Sequence, residues 1–187
     1  MDIYSQAEIR TRSLQQRRKL SPVYRQSASS KICNAVIRSH EFFAATNVAC
    51  FFSMQDEVAT DAIFTRSWNT GKRVFAPLTL TNRKMVFREV LRETPLKKNT
   101  FGLWEPASGE FIDPRLLDFV VTPVVAFDVK GNRIGMGGGY FDRCFSFLRH
   151  REKWLRTKLV GVAYACQQTD EIAPNPWDIR LYRTFSE

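Results

Sequence analysis

Residues 118–126 read DFVVTPVVA, apolar at almost every position instead of every second one. A strand with one wet face alternates apolar and polar side chains, so a run without alternation is covered on both faces. Such a strand lies inside a largely parallel sheet with helices packed against either side. The rest of the chain supplies partners for it. NVACFFS at 47–53 and the run at 159–165 are further apolar stretches of strand length, and 73–76 and 85–90 are strand-like. Helices fall between them. Residues 6–19 are rich in good helix formers, with Arg10, Arg12, Arg17, Arg18 and Lys19 among them. Ser21-Pro22 reads as a cap and a first-turn proline opening a second helix that runs to about residue 43. Thr60 can cap a helix over 61–70, which Gly71 stops. Residues 91–116 read as irregular, and 172–187 as loop with at most one short strand. Strands alternating with helices predict an α/β fold. With no internal repeat, low-complexity tract or linker, residues 1–187 are expected to form one domain.

The segment after the doubly buried strand carries the chemistry. Residues 131–143 read GNRIGMGGGYFDR, with Gly135, Gly137, Gly138 and Gly139 inside five positions and a helix expected over 140–150. Glycines let a backbone approach a ligand closely, and bare N–H groups at a helix start favour phosphate. A plain tight turn also uses glycines, but it has no need of Arg133 and the Asp142-Arg143 pair. Asp142 can hold a Mg²⁺ that arrives with the phosphates. Ligands in parallel sheets bind at the carboxyl ends of strands, which is where this loop is expected.

Standard phosphate motifs do not account for it. GxxxxGK[ST] is absent. A dinucleotide fold needs an early glycine loop and an acid about twenty residues on, and near Thr157-Lys158 there is none. Two other places hold candidate chemistry. Asp56 and Glu57, in SMQDEVAT, follow a buried strand and precede a helix. Solvated helix-entry charges explain them as well as function does. Trp177-Asp178 on its own reads as a surface turn.

Composition excludes several classes. No apolar run approaches the ~20 residues of a membrane span, and the first residues lack the apolar core of a secretory signal. Cys33, Cys50, Cys144 and Cys166 are scattered, and His40 and His150 lie far apart, so no zinc pattern exists. Unpaired cysteines fit a reducing cytoplasm, the expected location. The net charge is +9, and the first fifty residues hold eight Lys/Arg against three Asp/Glu. That excess suits an anionic partner, whether nucleic acid, acidic lipid or a small ligand, and equally a solvated helix face.

Taken together, EIRTRSLQQRRKLS, FFSMQDEVAT, GKRVFAP, TFGLWEP, DFVVTPVVAFDVKGNRIGMGGGYFDR and the late WDI resemble the 5-formyltetrahydrofolate cyclo-ligase (methenyltetrahydrofolate synthetase) family over nearly the whole length. The resemblance implies a single Rossmann-like three-layer α/β domain with a largely parallel sheet, similar to the sugar-phosphate isomerase and CoA-transferase group. It implies closure of 5-formyltetrahydrofolate to 5,10-methenyltetrahydrofolate with ATP as co-substrate and Mg²⁺ as cofactor. Arg10, Arg133, Gly135, Met136, Gly137, Gly138, Gly139, Tyr140 and Phe141 would bind ATP, with Arg133 and Arg143 catalytic. Asp142 and Asp178 would hold the metal. Phe52, Met54, Phe101 and Tyr140 would line the folate slot, and Glu57 would hydrogen-bond the pterin. Folate polyglutamates are implied partners; no nucleic acid or membrane is, and a monomer is expected. One departure stands out: the family often has a basic residue four positions before Arg10, where this chain has Gln6. The competing readings are another phosphate-binding α/β enzyme, such as a sugar-phosphate isomerase, and a basic nucleic-acid-binding protein. The first has no need of SMQDEVAT with Asp178, and the second leaves the glycine loop without a job.

Overall fold

A computed structural model describes residues 5–149 and 157–187, and its frame is a seven-stranded sheet. Along the chain run α1 (Gln6–Arg18), α2 (Pro22–Ile37), α3 (His40–Ala44), β1 (Asn47–Ala49), α4 (Asp61–Asn69), β2 (Arg73–Thr79) and β3 (Met85–Glu89). There follow β4 (Leu96–Lys98), β5 (Trp104–Pro106), β6 (Phe111–Ile112), β7 (Phe119–Pro123), β8 (Ala126–Phe127), β9 (Arg133–Ile134), α5 (Tyr140–Cys144), β10 (Lys158–Val162) and β11 (Arg183–Phe185). The sheet order is β11-β10-β7-β1-β2-β3-β6. From β11 to β2 every pairing is parallel, while β3 and β6 add on antiparallel.

The doubly buried strand is β7, held between β10 and β1. Successive side chains of a strand point to opposite faces. Accordingly Phe119 and Val121 join the core under α2 and α4, with Ile32, Val36, Phe64 and Val160. Val120 joins the opposite core, with Phe75, Phe87, Phe145, Leu159 and Ile179. This is the covered, largely parallel α/β sheet expected from the pattern.

Several boundaries differ from expectation. The second helix stops at Ile37 because Ser39 starts a new one: its hydroxyl accepts from Phe42 N–H at 3.3 Å and donates to the Val36 carbonyl at 2.7 Å. Thr60 stands at the N-cap of α4 as expected, but its side chain does not cap the helix; the hydroxyl donates to the Phe51 carbonyl at 2.7 Å, which pins the chain leaving β1. The strand predicted over 47–53 pairs only to Ala49, and residues 50–53 turn away along the carboxyl edge of the sheet. The strand predicted over 118–126 ends at Pro123. Gln167 then takes the Val124 and Val125 carbonyls, at 2.7 and 2.9 Å, and frees the chain to form the β8–β9 hairpin. The 91–116 segment is more ordered than expected, since β4 and β5 form a hairpin and β6 extends the sheet. The helix expected over 140–150 is the five-residue α5 followed by a 3₁₀ turn at Ser146–Leu148, and His150 lies outside the described residues. None of the described helices is long and apolar enough to cross a membrane.

Candidate active site

The chain ends that leave β1, β2 and β7 border one cavity of about 660 Å³. It receives two groups of residues that lie far apart in sequence.

The glycine loop forms one wall. It follows the β8–β9 hairpin, and Gly139 enters α5 with φ of 62°, a left-handed conformation that side chains disfavour. Gly138 is constrained by contact instead: a Cβ there would stand 2.8 Å from the Tyr140 ring. The N–H groups of residues 136–139 donate to no other group among the described residues. They are free to receive an anion. The helix dipole adds little, because five residues align few peptide dipoles.

Three arginines surround this loop. Arg10 of α1 donates through Nε to the Gly135 carbonyl at 2.8 Å. Arg143 folds back on the Gly138 carbonyl and donates through Nε to the Arg83 carbonyl at 3.2 Å. Arg133 is nearly buried; it donates to the Ile179 carbonyl and to Asp142 Oδ1, the latter at 2.9 Å. Its immediate contact is therefore the carboxylate behind the loop.

Asp142 and Asp178 come together although 36 positions separate them. Asp142 Oδ1 accepts from Arg133 and from the Ile179 N–H at 3.1 Å, directly after Asp178 in the chain. Asp178 Oδ2 accepts from Asn175 N–H at 2.8 Å, from the Asn175 amide at 3.2 Å and from Gln6 Nε2 at 3.1 Å. Each carboxylate thus has one oxygen fixed, and the other accepts no hydrogen bond among the described residues. Both residues line the cavity, as does Trp177. Two hard oxygens beside a phosphate-sized loop suit Mg²⁺, which takes one or two carboxylates together with substrate phosphates and water. No cluster of three or more His, Cys, Asp or Glu occurs among the described residues, and a metal shared with phosphates does not need one.

The opposite wall is the 50–58 segment. Glu57 N–H donates to the Met54 carbonyl at 3.0 Å while Glu57 Oε2 accepts from Met54 N–H at 2.9 Å, a reciprocal turn. Burial pushes the Glu57 carboxyl above its ordinary value. The Met54 N–H and Arg17 oppose that rise, and neighbouring Asp56 adds to it. A raised, cavity-facing carboxylate marks a working group more often than a solvated helix entry. Phe52 stacks on Phe64 with ring centres 4.7 Å apart. Phe52, Met54, Phe101 and Tyr140 all reach the cavity.

Sequence reasoning missed two residues. Arg17 is 4% exposed and pairs with Asp56. Glu105 is 6% exposed, and its Oε1 accepts from Thr79 N–H at 2.9 Å, Thr79 Oγ1 at 3.0 Å and Asn99 Nδ2 at 2.7 Å. Asn99 in turn accepts from Phe101 N–H at 2.9 Å, so Glu105 holds the aromatic β4–β5 turn over the cavity. The signal for Arg17 was the spacing of Gln6, Arg10, Ser13 and Arg17, which places all four on one face of α1. The cysteines stay protonated: burial pushes Cys33 up to about 12 and Cys144 to about 11, and raises Cys50 and Cys166. None is a ready nucleophile.

Comparison with known proteins places the chain. The model of the 5-formyltetrahydrofolate cyclo-ligase family matches residues 2–186. The 5-formyltetrahydrofolate cyclo-ligase of Haemophilus influenzae is 33% identical, with 97% of each chain covered. That of Escherichia coli is 30% identical over 89% of this chain and 92% of its own. Among solved structures, the 5,10-methenyltetrahydrofolate synthetase of Aquifex aeolicus superposes with a TM-score of 0.82 at 29% identity, covering 97% of this chain and 89% of that one.

Proposed function

The chain belongs to the 5-formyltetrahydrofolate cyclo-ligase family, and we propose that it closes 5-formyltetrahydrofolate to 5,10-methenyltetrahydrofolate with ATP and Mg²⁺, releasing ADP and phosphate. Family membership sets aside the sugar-phosphate isomerase and nucleic-acid readings. One observation supports the two-substrate reaction above all: a single cavity is bordered by the glycine loop with Asp142 and Asp178 and by the turn carrying Glu57.

A formamide oxygen is a poor leaving group. In the proposed reaction it attacks the γ-phosphorus, forming an O–P bond as the bond to ADP breaks. The folate N10 amine then attacks the activated formyl carbon, its proton leaves to solvent or phosphate, and the C–O bond breaks to release phosphate. The residues bind and orient rather than react covalently. The N–H groups of residues 136–139 and Arg10 receive the phosphates. Asp142 and Asp178 hold the metal, which when bound neutralises phosphate charge. Glu57 accepts pterin N–H groups, with Phe52, Met54, Phe101 and Tyr140 as apolar walls. The net positive charge favours ATP and the glutamate tail of folate, both anionic.

The test mixes protein, Mg²⁺, ATP and 5-formyltetrahydrofolate and follows the methenyl chromophore. Product is expected only when nucleotide and metal are both present. Equal product without ATP, or after chelation, would overturn the reading.

A further inference from the structure

We propose that Arg17 is a positioning residue for folate recognition: through its ion pair with Asp56 it fixes the turn that presents Glu57 to the cavity. The inference rests on Glu57 being the pterin contact.

Arginine is seldom buried, and its guanidinium does not give up its proton to escape burial. Here Arg17 sits 4% exposed in the last turn of α1. Its Nε and Nη2 both donate to Asp56 Oδ2, at 3.1 and 2.9 Å, and its Nη1 stands 4.0 Å from Glu57 Oε1. Neither Arg17 nor Asp56 lines the cavity, whereas Glu57, Met54 and Phe52 do. Arg17 therefore acts through its neighbours. It also shares a helix face with Arg10, which grips the glycine loop, so the same rigid element carries both walls.

The groups facing Glu57 come from three places. Arg17 approaches from α1, and Asp56 and the Met54 N–H from its own turn. The Tyr164 hydroxyl, beyond β10, donates to the Glu57 carbonyl at 2.9 Å. Burial and Asp56 favour the protonated acid, while Arg17 and the Met54 N–H favour the carboxylate. Removing Arg17 leaves Asp56 as an unpaired anion beside Glu57. Both changes make Glu57 hold its proton to higher pH, where it loses its capacity as an acceptor.

The experiment compares Arg17→Met, Arg17→Lys, Asp56→Asn, the Arg17→Met/Asp56→Asn double variant and Glu57→Gln, with KM for each substrate across pH. Arg17→Met is expected to raise the folate KM about tenfold at neutral pH, with the ATP KM within about twofold. The acid limb of kcat/KM for folate moves to higher pH. In the double variant the limb moves back toward the parent, because the unpaired anion is gone. A merely structural arginine would lower the melting temperature and leave the limb in place, and that result overturns the proposal, as does a double variant no better than Arg17→Met. Should Arg17→Met fail to fold, Arg17→Lys decides. It keeps the charge and loses the second N–H, so a folate KM raised with an unmoved limb is expected, and a parental folate KM overturns the proposal. Glu57→Gln separates the two levels. If it leaves folate affinity intact, the pterin role itself is wrong. If it weakens folate while the Arg17 variants do not, only the positioning role is lost.

Discussion

The two walls of the cavity are built by opposite means. The glycine loop is local: its unpaired donors, proposed to take the phosphates, are consecutive backbone N–H groups between Arg133 and Asp142. The proposed folate wall is assembled from a distance, with Arg17 reaching Asp56 across 39 positions and Tyr164 reaching Glu57 across 107. A backbone site is sensitive to shape at single positions, and charge enters it only through the side chains that flank it, Arg10, Asp142 and Asp178. A side-chain site is sensitive to charge and pH. Substitutions in the two walls should therefore fail in different currencies of binding, and each prediction below tests whether they do.

The largest effect is expected from Gly138→Val. A Cβ would meet the Tyr140 ring at 2.8 Å, and a branched side chain would also occupy the phosphate approach. ATP affinity should fall by about a hundredfold or more, on the order of 3 kcal/mol, with a smaller fall for folate, because the Tyr140 ring that must shift also borders the proposed folate slot. Calorimetric titration of both ligands measures this. A larger loss for folate than for ATP would break the comparison. Asp142→Asn comes next. The amide keeps an oxygen for the Ile179 N–H but removes the charge that Arg133 and a metal share. Turnover should fall about a hundredfold and the Mg²⁺ requirement rise, while the melting temperature drops because a nearly buried arginine loses its counter-charge. Parental metal dependence would make Asp142 purely structural.

The same contrast explains what was legible in the sequence. DFVVTPVVA announced a strand covered on both faces, and β7 is that strand, because lack of alternation is a local record of burial. The glycine loop was legible as a candidate for a similar reason: its glycines and flanking charges are consecutive residues. Strand and helix ends were not, since they depend on distant partners. Gln167 ends β7 by capturing two carbonyls, and Thr60 is diverted from its helix to the Phe51 carbonyl. Arg17 was one of several basic residues on a helix and Glu105 was not singled out, because nothing near them in sequence reveals that their partners are Asp56 and Thr79. Asp178 gained a context only from its neighbour: the Ile179 N–H donates to Asp142, which brings the two carboxylates to one side of the cavity.

Glu57→Gln should affect folate alone. Replacing a charged acceptor by an amide costs about 1.5–3 kcal/mol, roughly ten- to a hundredfold in folate affinity. ATP affinity should scarcely change, and a folate loss below about threefold would return Glu57 to a helix-entry charge. The wild-type pH profile carries a matching sign. The Glu57 carboxyl lies above its ordinary 4.5, so folate binding should weaken as pH falls through that raised value. The ligand-free fold behaves oppositely at this residue. A raised folded-state pKa contributes stability that is present below the ordinary value and is lost as pH rises through the raised one. Acidification should thus weaken folate binding while relieving the cost of burying Glu57. Glu57→Gln should remove both dependences, as titrations and melting curves across mildly acidic pH would report.

The smallest effect is expected at the departure from the family pattern. Gln6 donates through Nε2 to the Ala173 carbonyl at 3.0 Å and to Asp178 Oδ2 at 3.1 Å. A neutral amide orients Asp178 and leaves its charge uncompensated. Gln6→Lys places a cation against the same carboxylate, where a partly solvated ion pair is worth about 0.2–1 kcal/mol. That energy competes with Mg²⁺, so the metal concentration for half-maximal turnover should rise by up to about fivefold. The increase should shrink as salt screens the pair. Folate affinity should not move, because the turn carrying Glu57 is held from the other end of α1 by Arg17. Tighter ATP binding with unchanged metal demand would mean that the new cation turns to the phosphates instead. The glycine loop would then draw on a second side-chain cation besides Arg10, and the contrast between a backbone wall and a side-chain wall would narrow to one of degree.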